Sequence, residues 1–159
     1  MRPNRRLLLV LPLLAAPLAS RAAPCRPPVV LFVCPAGTVK SAIARETLKR
    51  RASAEGLRLD VRSRGLTPED HVSPTLATRL RADGIDPAAE PPRALAPADV
   101  AAADLVVAFD DAAAAPALKS ARTWRTPSWN TDYDAAKADL AARMDGLFAE
   151  LRARAGDCR

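Results

Sequence analysis

The sequence predicts an α/β fold: a four-stranded parallel sheet, doubly wound, in the strand order 2-1-3-4 with helices on both faces. Three observations predict it. The runs 29–34 and 104–109 are apolar with almost no alternation, as strands buried on both faces are. Stretches of helical period separate the strand-like runs, and with right-handed crossovers that alternation admits few orders. Lastly, the first run breaks into Cys34-Pro35-Ala36-Gly37-Thr38-Val39-Lys40-Ser41 and then into a helical pattern. In open α/β sheets such a unit places its loop beyond the carboxyl end of a central strand, where the strand order reverses.

The elements follow in order. Residues 29–34 form the central strand. Residues 41–54 form the first helix, with Ile43, Ala44 and Leu48 inside and Arg45, Lys49, Arg50 and Arg51 on a solvated face. Residues 57–63 alternate apolar and charged side chains, a half-exposed second strand. Ser73-Pro74 opens the second helix with a capping hydroxyl and a first-turn proline, Leu76 and Leu80 give it an inner face, and Gly84 stops it. Residues 87–97 are Pro-rich and irregular. The third strand is 104–109, a short helix falls within 110–117, and 122–126 is a short fourth strand. The chain closes on a long helix over 134–154, whose Leu140, Met144, Leu147, Phe148 and Leu151 share one face.

The N-terminus carries arginines, an apolar run over 7–19 and Ser20-Arg21-Ala22, the three parts of an export signal with cleavage after Ala22. The domains are therefore 1–22, a signal peptide, and 23–159, one folded unit. Arg5-Arg6 before Leu7 suits the twin-arginine route and also an ordinary secretory signal. Either route makes the protein periplasmic, with no membrane attachment after cleavage. The net charge of +6 loses Arg2, Arg5, Arg6 and Arg21 with the leader and falls to +2. With one Tyr, three Phe and two Trp in the chain, no interleaving of bases and aromatics points to nucleic acid.

Chemistry concentrates at 34–41. A short Gly-containing loop ahead of a helix gathers backbone N–H groups and the positive end of the helix dipole, which suits an oxyanion such as phosphate. Residues Pro35, Ala36, Gly37, Thr38, Val39, Lys40 and Ser41 are the candidate phosphate-binding set. Cys34 stands at its mouth, where a thiol is stabilised as the nucleophilic thiolate. A buried cysteine is also a small apolar core residue; the position at a strand end before this loop favours the nucleophile. Lys40 is either a cation for the bound anion or an exposed helix lysine, and Ser41 stands where a helix cap would. His71 is the only histidine. With no second His and no Cys cluster it suggests neither a metal site nor a cofactor.

The spacing Cys34-x5-Lys40-Ser41 resembles the Cys-x5-Arg-Ser loop of the low-molecular-weight protein tyrosine phosphatase family, which also includes arsenate reductases. The resemblance continues through Ser63-Arg64-Gly65, the run from Leu80 to Asp86, and Ala103-Asp104-Leu105-Val106-Val107, and so covers about 29–151. It implies a phosphoric monoester hydrolase that works through a cysteinyl-phosphate on Cys34, with Ser41 as a hydrogen-bond partner of the thiolate as well as a cap, and with a phosphotyrosine protein as a possible partner. Two departures imply the alternative, an oxyanion- or phosphoprotein-binding module with impaired turnover. Lys40 replaces the arginine whose planar fork grips phosphate. No Asp-Pro acid follows the fourth strand; Ser128 takes the acid's place, and Asp132 is the best substitute acid, or else a helix cap. Trp129 and Tyr133 either face an aromatic substrate or pack on the sheet. Thioredoxin-coupled arsenate reduction needs two further cysteines after the third strand, and none stands there.

Cys25 and Cys158 have no place in this loop. The chain just before strand 1 is at the bottom of the sheet, and a helix of about 21 residues descending from the top covers about 30 Å and overshoots that edge. In an oxidising compartment the two cysteines are expected to form a disulfide. At 34, a thiolate beside Val39, with no neighbouring thiol to protect it, is expected to be sensitive to peroxide.

Overall fold

The computed structural model describes residues 26–69 and 72–154. The leader, His71, Cys25 and Cys158 lie outside them, and so does the expected disulfide. Four parallel strands, β1 (Val29–Cys34), β2 (Asp60–Gly65), β3 (Leu105–Phe109) and β4 (Arg122–Trp124), form one sheet in the order β2-β1-β3-β4, as the sequence predicts. Every residue of β1 is buried because it pairs on both edges and is covered on both faces: Phe32 lies opposite Ser63 on one side and Val107 on the other. β2 is an edge strand and alternates, burying Val61, Ser63 and Gly65.

On one face, Val30, Phe32, Val107, Phe109 and Trp124 pack against α1 (Lys40–Ala54), α2 (Pro74–Ala82) and α4 (Tyr133–Arg154) in the larger core. α4 contributes the inner face read from sequence, from Leu140 to Leu151. On the other face, Leu31, Val33 and Ala108 pack against Ala112 and Leu118, which come from single-turn helices after β3. Val100 of α3 (Pro97–Ala102) leans on this second cluster. α3 is absent from the sequence reading: at six residues, Pro-Ala-Asp-Val-Ala-Ala, it is too short to show a period. No helix among the described residues is long and apolar enough to cross a membrane.

One expectation is overturned. Arg45, read as part of the solvated face of α1, is 1% exposed. Its guanidinium donates to Glu46 Oε1 at 2.6 Å, Ser63 Oγ at 2.7 Å and the Pro87 carbonyl at 3.2 Å, and Glu90 lies 3.7 Å away. A charge that is both paired and hydrogen-bonded is tolerated under cover. Arg45 thereby ties α1 to β2 and to the Pro-rich segment after α2. Lys49 pairs with Glu90 beside it.

Candidate active site

The loop after β1 closes around the sulfur of Cys34. Gly37 N donates to Sγ at 3.2 Å and Ser41 Oγ lies 3.1 Å from it, so the chain turns through a small ring whose two ends meet at the thiol. Gly37 makes the turn with φ +76°, a conformation glycine adopts without strain. Cys34 is 3% exposed and Ser41 is fully buried. Ser41 Oγ is also 3.4 Å from the Arg64 carbonyl. With a thiol, the hydroxyl can accept from sulfur and donate to that carbonyl; with a thiolate, it turns and donates to sulfur over the shorter distance. The site therefore carries a ready donor for the ionised nucleophile.

The outer side of this ring is held by backbone alone. Leu66, Thr67 and Glu69 donate their N–H groups to the carbonyls of Cys34, Pro35 and Ala36 at 3.2, 2.9 and 3.0 Å. Gly65 permits that approach: a Cβ there would lie 2.8 Å from the Ala36 carbonyl carbon, and one on Gly37 would lie 2.9 Å from Gly65 N. With its carbonyls taken, the loop keeps its amides; those of Thr38, Val39, Lys40 and Ser41 have no acceptor among the described residues.

The helix start agrees. α1 has no side-chain cap and no acidic residue in its first turn, whereas Ser73 caps α2 and Asp132 Oδ1 accepts from Ala135 N at the start of α4. Only α1 of these three leaves its positive end for an outside anion.

Lys40 faces elsewhere. Its ammonium donates to Asp110 Oδ2, and to the Thr126 carbonyl at 2.9 Å. Asp110 Oδ1 in turn accepts from Thr126 N at 3.1 Å. Asp110 stands directly after β3 with φ 49°, the one non-glycine residue with positive φ among the described residues. Beside the loop opens a cleft of about 410 Å³, bordered by Gly37 and Thr38 and walled by Arg81, Pro87, Glu90 and Pro92. The Arg45 staple fixes that wall.

Comparison with known proteins agrees with this geometry. The sequence profile described as low molecular weight phosphotyrosine protein phosphatase matches residues 29–150. The chain belongs to this family. The fold is similar to that of YfkJ from Bacillus subtilis (TM-score 0.69, 17% identity, covering 83% of this chain and 99% of that one). It is also similar to the YwlE arginine phosphatase from Geobacillus stearothermophilus (TM-score 0.64, 21% identity, 84% and 98%) and to an arsenate reductase in the phosphate binding state (TM-score 0.63, 18%, 78% and 98%). No curated protein sequence matches.

Set beside its family's loop, this phosphatase-fold chain keeps the cysteine, the serine and the backbone cradle, and changes the cation. The structure brings Cys34, residues 35–39 and Ser41 together, and places Lys40 at the rim in a bridge to Asp110. Asp132 is exposed and occupied as the cap of α4. Trp129 and Tyr133 take the packing alternative: both are 5% exposed in the larger core, edge-to-face with centroids 5.3 Å apart. After β4 it is Thr126, ahead of Pro127, that bonds to the loop's lysine and to Asp110, not Ser128. Asp110 and Gly65 are the residues of the site whose roles the sequence reading missed. Gly65 stood in a motif whose physical reason, close backbone contact, shows only in three dimensions. Asp110, the first of two aspartates after a strand, carried no local signal.

Proposed function

We propose that the protein is an exported phosphatase of the low molecular weight type, hydrolysing phosphate monoesters through Cys34. The observation that carries this is the ring of free amides closed around the Cys34 sulfur by Gly37 N and Ser41 Oγ. In this reading the thiolate attacks phosphorus, an S–P bond forms as the ester P–O bond breaks, and the loop amides stabilise the equatorial oxygens of the transition state. Water then cleaves the phosphocysteine, releasing phosphate and restoring the thiolate. Asp132 remains the candidate acid, since its cap bond from Ala135 N engages only Oδ1; the leaving oxygen otherwise takes its proton from solvent. Aryl esters, whose leaving groups need that proton least, are then the best substrates, which accords with phosphotyrosine.

The second reading, an oxyanion-binding module with little turnover, is favoured by one specific observation, the engagement of Lys40 with Asp110 and Thr126. Release of p-nitrophenol from its phosphate by the mature chain separates the two. The enzyme reading expects turnover that disappears in Cys34→Ser and a phosphocysteine trapped on acid quench. Equal rates in wild type and Cys34→Ser would sink it, and no turnover with phosphate still shielding Cys34 from iodoacetamide selects the module.

Export is part of the same proposal, supported by the leader pattern of residues 1–22. The mature periplasmic chain is expected to begin at Ala23 by mass spectrometry. Thiol counting on the unreduced, denatured protein is expected to find one free thiol, Cys34, with Cys25 and Cys158 joined; three free thiols would remove the disulfide.

A further inference from the structure

The cation of the loop is already matched. An ammonium has three N–H donors. Here one goes to Asp110 Oδ2 and one to the Thr126 carbonyl, so a single donor is left and the charge is offset by a carboxylate in contact. The carboxylate is itself fixed: its second oxygen accepts from Thr126 N, and its backbone holds φ 49° where β3 ends. A residue whose backbone lies in the left-handed region and whose carboxylate is bonded through both oxygens is not a passing surface contact. Both partners are mostly covered, with Lys40 at 19% and Asp110 at 28% side-chain exposure, so solvent screens the pair only in part.

We propose that Asp110 is a positioning residue that competes with the bound oxyanion for Lys40, setting how weakly the cradle holds phosphate. An anion in the loop meets backbone amides at full strength but a lysine whose charge and donors are largely spent. Asp110 thus tunes the site toward weak binding and quick release. This inference rests on the loop being an oxyanion site, and goes beyond it by naming the residue that limits affinity.

The test uses inorganic phosphate as the probe and protection of Cys34 from iodoacetamide as the readout, on the mature chain. Asp110→Asn is nearly isosteric, tolerates positive φ, and still accepts from Thr126 N through its amide oxygen. It removes the charge and turns the oxygen that accepts from Lys40 into an NH2 donor, so the carboxylate's hold on the ammonium is lost. Half-protection is expected at about tenfold lower phosphate than in wild type, the scale of one charge-assisted hydrogen bond regained. A gain of affinity cannot come from misfolding. The double variant Asp110→Asn with Lys40→Met is expected to lose the gain. If the double variant keeps it, the effect is loss of a repelling charge and the competition is overturned. Equal half-protection in wild type and Asp110→Asn overturns the role of Asp110 and leaves the cradle standing. No protection in any variant overturns both the inference and the oxyanion reading.

Discussion

The two ends of the loop over 34–41 are held by different physics. From Cys34 to Gly37 the loop is fastened through its backbone, with three carbonyls bonded to the segment after β2 and two glycines in contact. At Lys40 it is fastened by a side chain, through an ion pair with Asp110 and a bond to Thr126. Backbone fastening is indifferent to most substitutions and leaves the amides free, so the cradle persists where the loop sequence varies. Side-chain fastening depends on one residue and, in the proposed reading, sets how the loop treats an oxyanion. The backbone end is therefore robust to changes of side chain, and the end at Lys40 is not.

Breaking the backbone end has the largest expected effect. In Gly65→Ala the new Cβ would lie 2.8 to 2.9 Å from backbone atoms of Ala36 and Gly37, none of which can swing aside as a side chain does. The loop must move, and the ring around Sγ opens with it. A destabilisation of about 2 kcal/mol, in the range for overpacked sites, and loss of phosphate protection at Cys34 are expected. Urea unfolding and the alkylation assay measure the two separately, and unchanged protection would show that the glycine contact does not shape the loop.

Arg45 supports the same end from behind. Arg45→Met keeps most of the buried volume but strands Ser63 Oγ and the Pro87 carbonyl. A cost of about 1 to 2 kcal/mol in urea unfolding is expected, with Arg45→Lys recovering only part, since an ammonium lacks the planar fork that reaches three directions. Full recovery in Arg45→Lys would mean that charge, not geometry, is what the core requires there.

At the side-chain end the informative change is Lys40→Arg. A guanidinium has five donors; after the bonds to Asp110 and Thr126 it keeps three for an oxyanion, where lysine keeps one. Phosphate is expected to protect Cys34 at about tenfold lower concentration, which is about 1.4 kcal/mol. Aryl phosphate turnover should rise with it if the loop is catalytic. No change in affinity would show that the cation at 40 never meets the ligand.

The sequence was legible where its signals are local. Uninterrupted apolar runs marked β1 and β3, and strand–helix alternation sufficed for the order 2-1-3-4. Cys34, Gly37 and Ser41 stood out because loop chemistry is written in consecutive residues. Arg45 was misread because periodicity assigns charge to the outside, and its partners Ser63 and Pro87 lie 18 and 42 positions away. Asp110 escaped for the same reason: its partners Lys40 and Thr126 are 70 and 16 positions distant. Asp132 was readable in both of its roles, and the bond from Ala135 N shows the capping one.

The segment that carries Thr126 is itself anchored at its far end, and this gives the smallest predicted effect. The Tyr133 hydroxyl donates to Asp83 Oδ2 at 2.5 Å, Lys137 pairs with the same carboxylate at 2.8 Å, and Arg79 lies over the ring at 4.0 Å from its centroid. Burial and the bond to Asp83 push the Tyr133 phenol up to about 12, while Lys137 and the phenol hold the Asp83 carboxyl below its usual range. A phenol raised in the folded state stabilises the fold fully below its unfolded value of about 10. That contribution is lost as pH rises from there through about 12. Tyr133 is the only tyrosine in the chain, so absorbance at 295 nm follows it alone. Folded protein should titrate near 12 and urea-unfolded protein near 10, and Asp83→Asn should bring the folded value down. A folded midpoint near 10 would show that the phenol is not held by Asp83. The side-chain end of the loop would then owe nothing to that anchor.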